Sequence, residues 1–125
     1  MRAVFVTLLA SGILMGQSAS PLQQAPERWR AKSNPLAADQ QAQRAGAKLF
    51  ARECAECHGE SGQGGRKAPP LKRDDVSQAP AGAVFWVLEN GALWHGMPSF
   101  AHLPEPQRWQ IVTFVQQLTG PRKPD

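Results

Sequence analysis

Cys54-Ala55-Glu56-Cys57-His58 holds the only two cysteines of a 125-residue chain, and the reading of that stretch decides the fold. It places two thiols about one helical turn apart with an imidazole directly behind the second. Four chemistries use such a set. A structural zinc site takes four N or S ligands, and after these three the chain offers only His95 or His102, without a second close pair. A thioredoxin-like redox pair sits beside a βαβ pattern, and no strands are legible here. A plain disulfide is available to an exported protein, yet it leaves His58 and the glycine-rich stretch behind it without a purpose. In the fourth, both thiols add across the two vinyl groups of a haem while the imidazole reaches its iron, which gives every residue of the motif a role.

Working outward, the stretch from about Leu36 to Cys54 reads as a helix that begins after Pro35. It carries Ala42, Ala45, Gly46, Leu49 and Phe50 at three- and four-residue spacing. Residues 59–80 hold Gly59, Gly62, Gly64, Gly65, Pro69, Pro70 and Pro80, a long loop of the kind that serves a site. A second helix fits Ala81 to Asn90, with Val84, Phe85, Val87 and Leu88 apolar and Gly91 placed for a left-handed C-terminal conformation. The loop Leu93-Trp94-His95-Gly96-Met97-Pro98 follows. A third helix starts near Pro104 or Pro106, where a missing N–H is tolerated, and runs to Leu118 with Trp109, Val112, Val115 and Leu118 on one face. Gly120-Pro121 stops it. With no convincing strand, repeat or low-complexity tract, the expected class is all-α.

The start of the chain, Met1-Arg2 followed by a short apolar run to Met15 and the small-residue exit Gly16-Gln17-Ser18-Ala19-Ser20, matches a bacterial secretory signal over residues 1–20. The run falls short of the roughly 20 residues that span a bilayer. The expected location is therefore periplasmic or otherwise exported, with no transmembrane span after cleavage. Residues 21–38, with Pro21, Pro26 and Pro35, form an N-terminal tether or wrap-around arm. Within it Glu27 to Arg30 suit a short turn, in which Trp29 either anchors the arm on the domain or stands exposed at a partner surface. The domain proper spans residues 39–120, and 121–125 are a tail.

One domain of this length buries little, and aromatic residues make up only 7% of the chain, so a covalent or ligand contribution to the core is expected. A large multidomain enzyme is excluded. The formal charge of +4 permits acidic partners, anionic lipid or nucleic acid. An exported chain without a nucleic-acid-binding motif sets the last aside.

A haem iron held by His58 on one face needs a sixth ligand or an open position, a choice that separates an electron carrier from a gas binder or peroxidase. The candidates are Met97, His95 and His102. Met97 lies between Gly96 and Pro98, whose rigid flanks can aim one side chain, and it is the only methionine outside the leader. His95 belongs to the same loop, and His102 suits a solvent-facing position.

Beyond the haem motif, the chain resembles a monohaem class I cytochrome c, closest to the small bacterial domains related to the haem subunits of haem-copper oxidases. The resemblance covers roughly residues 39–120. It rests on Ala45-Gly46 with Phe50, Cys54 to Gly59, Gly62-Gln63-Gly64, Ala68-Pro69-Pro70-Leu71, Asn90-Gly91, Gly96-Met97-Pro98-Ser99-Phe100 and Trp109-Gln110-Ile111-Val112. It implies three main helices around one haem c, attached through Cys54 and Cys57, with its iron between His58 and Met97. It further implies crossing first and last helices, with Gly46 at the close approach and Phe50 packing near Trp109. The carbonyl of Pro69, or of its neighbour Pro70, would accept the Nδ1–H of His58. Leu71 and Phe85 would wall the haem.

The function expected of such a chain is electron transfer by iron cycling between ferric and ferrous states, not enzymatic turnover. It would act as a monomer that meets redox proteins such as a dehydrogenase or terminal oxidase. The alternatives are a haem enzyme or gas-binding sensor with a labile or open distal position, and an accessory module docked on a larger enzyme. Arg66, Lys67, Lys72 and Arg73 form a basic cluster after the haem motif that either steers an acidic partner or is a solvated loop partly neutralised by Asp74 and Asp75.

Overall fold

A computed structural model describes residues 19–120. Residues 1–18 of the expected leader and the tail at 121–125 lie outside the described residues. Six helical segments follow one another: α1 (Glu27–Arg30), α2 (Gln40–Glu53), α3 (Ala55–His58), α4 (Asp74–Ser77), α5 (Ala81–Asn90) and α6 (Glu105–Val115). A 3-10 turn at Leu93–His95 stands between the last two. No strand occurs among the described residues, only one antiparallel bridge between Ala92 and Met97.

The first long helix starts later than its apolar pattern suggests, and a cap is the reason. The Asp39 carboxylate accepts hydrogen bonds from the backbone N–H of Gln41 (2.8 Å) and Ala42 (3.0 Å), satisfying two of the donors that a helix start leaves unpaired. Leu36 to Ala38 therefore belong to the turn that precedes α2. Helix α5 has the predicted bounds, with Pro80 ahead of it and Gly91 behind. Gly91 has a φ of 71°, but its ψ of −177° is extended. The chain thus leaves the helix outward into the next loop instead of curling into the expected left-handed end.

The largest helix–helix interface joins α2 to α6. Gly46 decides how closely they meet: a Cβ there would lie 2.0 Å from the Gln110 carbonyl oxygen and 2.9 Å from the Phe114 Cβ. Phe50 finds its ring partner in Phe114 (centroids 5.2 Å apart), while Trp109 stacks on Phe85 at 4.2 Å. Phe50 and Trp109 share one buried cluster, yet the aromatic pairs are these two.

Helix α6 buries Arg108, Trp109, Ile111, Val112, Thr113 and Val115, which is wider than a single stripe. Three neighbours surround it. Besides α2 and α5, the N-terminal arm covers its third side: Asn34 Nδ2 donates to the Thr113 hydroxyl (2.9 Å), which itself donates to the Trp109 carbonyl (2.9 Å) with the Leu36 carbonyl 3.3 Å away. The arm is the wrap-around kind. Trp29 stacks on Phe85 at 5.8 Å with 18° between the ring planes, and Lys32 Nζ sits 4.2 Å from the Trp29 ring. Stacked on Phe85 and packed against the buried cluster, the half-buried Trp29 is an anchor of the arm.

Candidate functional site

Cys54 is the joint between two helices. Its N–H closes α2 on the Phe50 carbonyl (2.8 Å), and its own carbonyl accepts from His58 (3.0 Å) and Cys57 (3.2 Å) to form the single turn of α3. The non-helical φ of −121° at Cys54 turns the motif away from the α2 axis. Cys54 is buried and Cys57 exposed, and the thiols are not joined to each other. Burial, followed by the nearby charges of Glu53 and Cys57, pushes the Cys54 thiol from 9.0 up to about 12. Among the described residues no three His, Cys, Asp or Glu side chains gather in a group that could hold a metal ion by themselves.

The loop behind the motif folds back beneath His58. Gly64 N–H donates to the His58 carbonyl (2.7 Å), and Leu71 N–H to that of Gly62 (2.8 Å). Gly64, at a φ of 79°, runs so close to the returning chain that a Cβ would lie 2.5 Å from the Pro70 nitrogen. This fold-back brings the Pro69 carbonyl to 2.9 Å from His58 Nδ1. A carbonyl only accepts, so Nδ1 carries the proton and the lone pair of Nε2 is left for another partner. The long loop expected over residues 59–80 is interrupted by α4.

Met97 sits in the loop between α5 and α6, held by reciprocal backbone hydrogen bonds with Ala92 (3.0 and 3.2 Å). Met97 and Leu71 are partly buried and pack against the cluster to which Cys54 and Phe85 belong. Phe85 is surrounded by Trp29, Trp109 and the Arg108 guanidinium, whose carbon is 4.8 Å from its ring centre. His95 and His102 are exposed. So are Leu93 and Trp94, the two large apolar side chains that stand out in solvent just ahead of Met97. In the basic cluster, Lys67 donates to Glu56 (3.0 Å), which raises its pKa, and Arg73 pairs with Asp75 (2.8 Å).

The donor set fits a haem. Two thiols one turn apart, an imidazole with a fixed tautomer and a free Nε2, and an apolar cluster beside them are the chemistry that covalent attachment and axial ligation require. A strandless helical frame carrying that set defines a class I c-type cytochrome domain. Residues 41–115 match the family model described as cytochrome c oxidase, cbb3-type, subunit III, and the chain belongs to that family. Its cofactor is haem c with its iron, covalently bound, and its activity is electron transfer.

Two solved structures are similar in fold. Cytochrome cL from the marine methylotrophic bacterium Methylophaga aminisulfidivorans MPT superposes with a TM-score of 0.59 at 22% identity, over 80% of this chain and 68% of that one. The c-type cytochrome XoxG from Methylobacterium extorquens AM1 gives 0.55 at 22% identity, over 66% of this chain and 55% of its own length. No curated protein shows a significant match.

Proposed function

We propose that this chain is an exported electron carrier whose haem iron is held between His58 and Met97 and whose partners are redox proteins such as a dehydrogenase or terminal oxidase. The observation that carries this reading is the His58–Pro69 hydrogen bond, which fixes the imidazole with Nε2 available, alongside a separate loop that presents the sole methionine of the described residues.

Bound haem supplies one-electron chemistry, its iron passing between ferric and ferrous states. The chain's part is to hold the ligands still while that happens. Cys54 and Cys57 anchor the ring edge through thioethers. The Pro69 carbonyl, by accepting from Nδ1, sets the His58 ring orientation and strengthens it as a donor. The Met97 thioether, a soft ligand, favours the ferrous state, and the dry apolar cluster beside it disfavours the additional charge of the ferric state. Leu71 and Phe85, which belong to or pack against the same apolar cluster as Cys54, would wall the haem. With His58 and Met97 both holding the iron there would be no seat for a substrate, and the chain would act as a carrier and not as an enzyme.

Among the described residues no helix is long and apolar enough to cross a membrane. Two of the four cations after the motif are paired, leaving Arg66 and Lys72 to contribute with the net positive charge to steering toward an acidic partner. Carbon monoxide binding tests the reading. The dithionite-reduced holoprotein should show no spectral shift with carbon monoxide, whereas Met97→Ala should bind it rapidly. A parent that binds carbon monoxide as readily as the variant would instead support a sensor or haem enzyme with an open distal position.

A further inference from the structure

Helix α5 ends with carbonyls that no longer have helical donors, a feature of every helix C-terminus. In this chain those carbonyls are the anchor of the methionine loop. Val87 accepts from Gly91 N–H (2.7 Å), where the loop leaves. Leu88 accepts from Phe100 N–H (2.7 Å), where it returns. A third carbonyl, that of Glu89, accepts from the Ser99 hydroxyl, and the same Oγ accepts from Ala101 N–H (3.1 Å). Between these closures, Ala92 and Met97 exchange both backbone hydrogen bonds.

Over residues 91–100 the hydroxyl of Ser99 makes the only side-chain hydrogen bonds among the described residues. It acts two residues from the Met97 thioether. Its anchor is firm, because the Glu89 carboxylate is held by Arg108 (3.1 Å), whose side chain is only 10% exposed and lies over the Phe85 ring. Helix α6, the aromatic stack and the end of α5 thus meet at Glu89, the residue whose backbone carbonyl Ser99 grips.

We propose that Ser99 is a positioning residue: its hydroxyl, clasped on the Glu89 carbonyl, sets how firmly the loop holds Met97 against the haem iron. This rests on Met97 being the distal ligand. Losing the clasp leaves the thioether in place but lets the loop open more often, so an outside ligand competes with the sulfur more successfully. A neutral hydrogen bond of ordinary net strength corresponds to about a fivefold change in that competition.

The test is titration of the ferric holoprotein with imidazole, followed by loss of the near-infrared band that marks methionine sulfur on ferric iron. Parent, Ser99→Ala, Ser99→Val, Ser99→Thr and Met97→Ala are compared. Ala and Val lack the hydroxyl, so either of them that loads haem decides the matter, while Thr retains it in the shape of Val. Imidazole should bind Ser99→Ala and Ser99→Val about fivefold tighter than the parent, with Ser99→Thr restored to the parental value. Met97→Ala, having no competing sulfur, gives the upper limit. Affinities of the Ala and Val variants equal to the parent's would overturn the proposal, and so would a lowered urea midpoint without a change in imidazole affinity. A parent without the near-infrared band shows instead that the Met97 reading has failed, before any Ser99 variant is measured.

Discussion

The segment from Cys54 to Leu71 and the loop from Gly91 to Phe100, the two sides of the proposed iron site, are built on opposite plans. The first is a motif with a chain folded back beneath it: two thiols, one imidazole and a carbonyl at 2.9 Å that orients the ring. Its grip on a haem is covalent. The second offers one thioether, and it depends on hydrogen bonds to the last carbonyls of α5 for its position. A covalent anchor on one side allows the opposite side to be weak and adjustable. The difference teaches where a domain of this kind can vary: on the proposed assignment the cysteine side would fix whether haem is retained, and the methionine side what the iron does.

Substitutions separate the two sides, and the largest effect belongs to the cysteines. Replacing both Cys54 and Cys57 by Ala should leave no haem on the polypeptide after denaturing electrophoresis and haem staining. Haem that stayed with the chain would mean that the covalent anchor is elsewhere. Next comes Gly64→Ala. Its φ of 79° and the backbone 2.5 Å from a new Cβ leave no soft neighbour to yield, so the fold-back under His58 must shift, at a cost of about 3 kcal/mol in denaturant unfolding.

Glu89→Ala probes the base of the other region. It leaves the largely buried Arg108 without its carboxylate, and partial exposure of Glu89 reduces the loss below that of a deeply buried pair, to about 2 kcal/mol. The near-infrared methionine band should weaken in this variant and remain intact in Glu56→Gln. That last substitution removes only the charge that Glu56 brings to its solvent-exposed pair with Lys67, and the unfolding midpoint should not move measurably. A Glu56→Gln variant that lost stability would show that the exposed pair, and not the fold-back, supports the motif.

Much of this was legible from residue order because it depends on local rules. Proline before and glycine after bounded α5, and Cys-x-x-Cys-His announced its own chemistry. The start of α2 shifted because the apolar pattern did not register the Asp39 cap. Helix α4 stayed hidden because a four-residue turn with one buried aliphatic, Val76, has no periodicity to detect. Trp29 could not be assigned from the sequence, since its partner Phe85 is distant in the chain and only folding joins them. The paired prolines left the His58 acceptor open by one residue, and the close approach at Gly64 brings the Pro69 carbonyl to it. Ser99 gave no signal because its acceptor is a backbone carbonyl, which side-chain identity does not reveal.

The electron-carrier account is tested most directly by the near-infrared absorption and electron paramagnetic resonance of the ferric holoprotein. His58 and Met97 as axial pair predict low-spin iron with the methionine-sulfur band, which Met97→Ala abolishes. Low-spin iron without that band would place a second nitrogen ligand, His95 or His102, opposite His58. High-spin iron would contradict the account outright, since it would show an open distal position and a site made for binding in place of relay.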